Sequence, residues 1–185
     1  MLTATEKIVE MFQYIVADVA TDYGSAVHYQ HGHPLEIVKS LQEMTKAQVK
    51  SDLKYPLIAL FQDFTEEKGI RYDIESRCKF TLILATITQP EYKAAERYTI
   101  NFDAILQPLY ELLIPSIVRS GYFDQSSTEI PPKHKKTDRL YWGKSGLYGD
   151  TGNMFGDAID AIEINDLELD VMKQPCVPSK IMSKT

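Results

Sequence analysis

Between Tyr72 and Thr88 the side chains alternate so that Cys78, Phe80, Leu82 and Leu84 point one way and Ile83, Ala85 and Ile87 the other. Both faces of such a strand are apolar, and that places it in the middle of a sheet. A second apolar run, Leu57 to Phe61 within Tyr55–Phe64, predicts another strand buried on both faces, with Pro56 at its start. The charged turn Thr65 to Gly69 joins the two as a hairpin around Glu66, Glu67, Lys68 and Gly69. A third alternating stretch, Ala158 to Val171, carries Ile162 and Ile164 and then Leu167, Leu169 and Val171. Its phase shifts at Asn165 and Asp166, which reads as a β-bulge or as a turn between two short strands.

Helical spacing accounts for most of the remainder. Ile8, Phe12, Ile15, Val16 and Val19 fall on one face of a helix from about Ala4 to Ala20, capped by Thr3 and Glu6 and ended by Gly24. A second helix is expected over Leu35 to Val49, with Leu35, Val38, Leu41 and Met44 facing inward. A long pattern from Tyr92 to about Val118 sets Tyr98, Phe102, Ile105, Leu109 and Leu112 on one stripe. Pro108 and Pro115 should kink or divide it, since each removes a backbone donor and crowds the preceding turn. The segments Ser25–Pro34, Tyr122–Asp138 and Tyr141–Gly156 read as polar or glycine-rich loops. The expected fold class is therefore α+β: one domain, residues 1–171, with a mainly antiparallel sheet against an N-terminal and a long central helix. The tail 172–185 holds Lys173, Lys180 and Lys184, two prolines and no acid, and is expected to be mobile alone or ordered by a partner.

Composition excludes several classes of protein. With 44% hydrophobic and 25% charged residues, the chain is not of the disordered kind. A formal net charge of −6 argues against a protein whose main task is gripping phosphate backbones. Cys78 and Cys176 match neither a disulfide framework nor a zinc motif, and suit reduced thiols in a cytosol-like compartment. The segment Met1 to Glu10 is too charged for a signal peptide, and no run approaches the roughly 18 apolar residues of a membrane span. The expectation is a soluble protein with no membrane association.

The candidate chemistry is thin. His28, His31 and His33 crowd together, but His-x-x-His-x-His is no familiar zinc pattern and no ligand set completes it, so a polar surface loop is the expected reading. Gly143-Lys144-Ser145 imitates the end of a phosphate-binding loop, yet Asp138 stands where that motif needs glycine. Asp157 with Asp160, or Glu163 with Glu168, could pair as carboxylates, but nothing supplies a nucleophile or oxyanion donors around them. No metal, cofactor or catalytic residue is assigned, and the chain is read as a non-enzyme. Lys133, His134, Lys135, Lys136 and Arg139 form the one basic cluster; a solvated loop is the first reading, and weak proximity to DNA or an acidic partner the second. Arg139, Tyr141, Trp142, Tyr148 and Phe155 are the subunit-interface candidates, because Trp, Tyr and Arg dominate binding hot spots. Two readings of these rings stay open: an anchor for a partner, or a cap on the chain's own core.

The order of elements, with KYPLIALFQDF at Lys54–Phe64, CKFTLILAT at Cys78–Thr86, YWGKSGLYG from Tyr141 and DAIDAIEINDLEL ending at Leu169, resembles a small structural protein of a tailed bacteriophage. The similarity is to the neck and tail-completion group, including tail terminators. The resemblance implies a ring-forming subunit, commonly hexameric, at the head–tail junction or tail end, beside other neck or tail proteins. It further implies a virion component made in the host cytoplasm, with no catalytic residues to carry over. A stand-alone binding module or a small enzyme with an unrecognised site is the alternative.

Overall fold

In the computed structural model, residues 4–46, 53–124, 131–142 and 157–173 are described. Helix α1 (Ala4–Tyr23) buries Ile8, Phe12, Ile15, Val16 and Val19, as its spacing requires, and stops where Gly24 takes a φ of +77° that a side chain would resist. The expected cap at Thr3 and Glu6 lies outside the residues whose side chains are described. Strand β1 (His28–Gly32) follows, then helix α2 (Pro34–Lys46), strands β2 (Leu57–Phe61), β3 (Thr65–Glu67) and β4 (Ile74–Ile87), a long helix α3 (Ala94–Arg119) and strands β5 (Lys135–Arg139) and β6 (Ile159–Met172).

The six strands form one mixed sheet in the order β1-β2-β4-β6-β5, with β3 also paired to β4. Only β1 and β2 are parallel; every other pair is antiparallel. The doubly apolar strand is central, as its alternation demands. Cys78, Phe80, Leu82 and Leu84 join Ile58, Leu60, Ile162, Ile164 and Leu167 under α1 and α3, while Ile83 and Ala85 join Leu57, Ala59, Phe61, Ile159 and Ala161 under α2. Cys78 belongs to this interior, and burial pushes its thiol up to about 11. The phase shift in β6 is a bulge within one continuous strand: Phe80 faces Leu167 and Leu82 faces Ile164, so one residue of β4 opposes two of β6. Asp166 supplies the left-handed backbone there, with φ 53°.

Three expectations need correction. Ser25–Pro34 and Tyr122–Asp138 are not loops throughout, because β1 and β5 lie inside them, and the supposed turn at Thr65 contains β3. In α2, Val38, Leu41 and Met44 face inward as expected, with Ile37 added to them, whereas Leu35 is 70% exposed: the helix starts at Pro34, and the first turn points Leu35 outward. Neither proline divides α3, which runs unbroken from Ala94 to Arg119 through a π-helical middle, Tyr98–Leu106. The Gln107 N–H reaches back five residues to the Phe102 carbonyl, a widened turn placed just where the Pro108 ring would press on an ordinary α-turn. That widening moves the buried stripe to Phe102, Leu106, Leu109, Leu113 and Ile117, leaving Tyr98 exposed and Ile105 at the core's margin. Strand β6 ends at Met172, and the Lys173 N–H bonds the Asp73 carbonyl at 3.0 Å. The rest of the tail lies outside the described residues.

Leu82 is fully enclosed between β2, β6 and the helical layer. Leu82→Ala is expected to lower unfolding free energy by about 2–5 kcal/mol in urea titration. A loss under about 1 kcal/mol would contradict the central placement of β4.

Candidate functional site

At the end of the sheet where β4 finishes and β6 begins, polar residues from four segments meet. Arg97 in the first turn of α3 is 5% exposed and Asp160 on β6 is 0% exposed; they pair at 3.0 Å through Nη1 and Oδ1. The guanidinium donates further to Thr88 Oγ1 (2.7 Å) and to the carbonyls of Gln89 (2.7 Å), Pro90 (3.4 Å) and Tyr92 (2.9 Å). Asn101, one helical turn on, donates to Asp160 Oδ2 at 2.6 Å and to Thr88 Oγ1 at 2.9 Å. The Tyr141 N–H donates to Asp160 Oδ1 at 2.7 Å, and the Tyr141 ring lies 4.8 Å from the Arg97 guanidinium. Every group in this cluster faces another inside it. Its chemistry is cohesion: the carboxylate is held by a cation and two neutral donors, with no open side from which to act on a substrate.

The turn after β5 distributes the sequence-named aromatics. Tyr141 adopts φ 51°, sending its ring to Arg97 on the α3 side, while Trp142 goes to the α2 side. Trp142 is 7% exposed, packs with Ile37, Leu41, Leu57 and Ile159, and donates its backbone N–H to the Ile159 carbonyl at 2.7 Å. Of the two readings left open, the packing of Trp142 favours the cap on the chain's own core. Arg139 lies 5.7 Å from the Trp142 ring and is clamped by Glu163 at 2.8 and 2.5 Å. Tyr148 and Phe155 lie outside the described residues, as do Gly143-Lys144-Ser145.

The carboxylate pairs suggested by sequence do not form. Asp157 accepts from Lys54 Nζ at 2.5 Å and from the Tyr55 hydroxyl at 3.0 Å, Asp160 belongs to Arg97, Glu163 to Arg139, and Glu168 stands 3.6 Å from Arg77 and 3.7 Å from Lys79. Burial and the adjacent Asp157 carboxylate both push the Tyr55 hydroxyl well above its ordinary value, so it stays a proton donor. Two lysines of the basic cluster are paired in the same way, Lys135 with Asp166 at 2.7 Å and Lys136 with Asp138 at 2.5 Å, while His134 bridges the Pro132 carbonyl and the Tyr110 hydroxyl.

The histidines diverge. His28 and His31 alternate to opposite faces of β1, and His33 caps α2, its Nδ1 accepting from the Leu35 N–H at 3.2 Å while Glu36 accepts from the His33 N–H at 3.3 Å. Burial lowers the His28 pKa, and Gln30 Nε2 donates to its Nε2 at 2.8 Å, an arrangement that requires the neutral ring. Among the described residues no three His, Cys, Asp or Glu side chains gather as a metal site, and no helix is long and apolar enough to cross a membrane.

The fold defines a class only, an α+β domain with a mixed sheet between unequal helical layers. No family model, no curated protein and no solved structure matches the chain.

Trp142→Ala is expected to lower unfolding free energy by about 3–5 kcal/mol while leaving the association of the folded protein unchanged. Unaltered stability with weakened association would return Trp142 to an interface role.

Proposed function

We propose that the chain is a virion structural subunit of the tail-terminator-like kind, assembling head to tail into a closed ring at the head–tail junction or tail end of a tailed phage. The observation that carries this reading is the unlike chemistry of the two edges of one sheet. Strand β1 presents His28, Tyr29, Gln30 and His31, whereas β5 presents Lys135, Lys136, Thr137, Asp138 and Arg139. A ring requires two different surfaces on each copy that meet around a closed rotation, and opposite edges of a rigid sheet supply such a pair.

Other features support an assembly role over catalysis. The half of the sheet beyond α2 carries an interlocked charged face, where the Arg77 fork holds Asp170 at 2.7 and 3.0 Å and Lys79 stands beside Glu168. Such mixed, self-neutralised charge suits a docking face for neighbouring neck or tail proteins. The paired lysines of β5 leave only weak attraction for a DNA backbone, in keeping with a subunit that stands near DNA without gripping it.

Light scattering on the eluting protein is expected to give a mass that is a multiple of 21.1 kDa, rising with concentration to a fixed stoichiometry. A mass that stays at one chain at the highest soluble concentration would overturn the ring reading.

A further inference from the structure

At the end of the sheet opposite Arg97, β4 begins, β6 finishes and α1 crosses beside them. Between them runs a groove of ≈ 220 Å³ floored by Met11, Tyr122 and Met172, with Tyr14 on its wall and Glu10 on its rim. Met11 and Tyr122 are buried there, but Tyr14 remains 48% exposed. A second hollow of ≈ 470 Å³ continues it past Met172 and Lys173 to Tyr72, which is 94% exposed. Apolar rings of this size left open to water are unfavourable unless something covers them.

We propose that this groove receives residues 174–185 of a neighbouring copy; the proposal rests on the ring reading and names the contact that links one subunit to the next. Two observations on the chain select that occupant. First, Lys173 lines both hollows, so the chain passes into residue 174 at the groove's lip. The twelve residues that follow can span ~40 Å when extended, more than the ~16 Å radius of gyration expected for a domain of this length, which is enough to reach an adjacent molecule. Second, the chemistry is complementary. The segment offers Val177, Ile181 and Met182 to an apolar floor. Of the charged groups in the lining, Lys7 pairs with Glu75 and Lys173 lies over the Tyr72 ring, and Glu10 has no ion-pair partner among the described residues, which suits Lys180 and Lys184 in a segment with no acid. Docking of this kind gives each subunit a donor segment and an acceptor groove, which is a heterologous contact able to close a ring.

An amine-reactive cross-linker applied to the full chain, mixed from light- and heavy-isotope preparations, tests the contact because Lys7 lines the groove and Lys180 and Lys184 lie on the segment. The expected result in the assembled protein is a mixed-isotope link between Lys7 and Lys180 or Lys184. Tyr14→Arg, at a half-exposed position, should weaken that link roughly tenfold, as loss of an anchoring aromatic does. Glu10→Lys should also weaken it, and adding Lys184→Glu should restore it, a rescue that a folding defect would not show. An oligomer with no such link, or with links only inside one copy, overturns the proposal and leaves the ring reading standing. A chain that never assembles removes both.

Discussion

The ion pair between Arg97 and Asp160 ties the entry of the long helix to the end of the sheet where β4 finishes, β6 begins and β5 departs. Burying a guanidinium and a carboxylate costs several kcal/mol each, and their mutual attraction offsets that only when the remaining donors and acceptors are satisfied. Here they are. The guanidinium gathers the carbonyls of Gln89, Pro90 and Tyr92, which the chain leaves turned inward as it passes from β4 into α3. The carboxylate takes Asn101 from α3 and the Tyr141 N–H from the turn after β5. One pair thus fixes the exit of the central strand, the entry of the long helix, the start of β6 and the departure of β5. The position of Trp142 follows, because a Tyr141 held against Arg97 leaves the next side chain only the opposite face.

That dependence shows why parts of the molecule were legible in the sequence and parts were not. Strands β2 and β4 and helix α1 bury side chains on a regular period, so the pattern of Leu82, Leu84 and Ile83, or of Ile8, Phe12 and Ile15, carries the answer by itself. The edge strands carry no such pattern. His28–Gly32 and Lys135–Arg139 each border one neighbour, keep half-exposed side chains and become strands through backbone pairing that only the rest of the sheet provides. The shifted stripe of α3 was hidden for a related reason: a period of 3.6 does not hold through the widened turn before Pro108.

The polar cluster left a fainter mark. Asp160 stands in the same inward register as Ile162 and Ile164, and Arg97 and Asn101 lie a helical turn apart beside the apolar stripe of α3. An acid in the buried phase of a strand and a base in the buried phase of a helix imply a partner for each, though 63 positions separate them and spacing alone does not join them. The histidines mislead in the opposite direction. Their closeness along the chain suggests convergence, while strand alternation and helix capping send them apart. Among the described residues the buried charges of Arg97 and Asp160 are matched within the chain, and what distinguishes one surface from another is the chemistry of edges, charged face and groove.

A double-mutant cycle on Arg97→Met and Asp160→Leu, read by urea unfolding, tests the central claim most directly. The account predicts that each single change costs about 3–5 kcal/mol, because it strands a buried charge, and that the double change costs less than the sum of the two by about 2 kcal/mol or more. Single losses below about 1 kcal/mol that simply add would show that the pair does not hold this end of the sheet together.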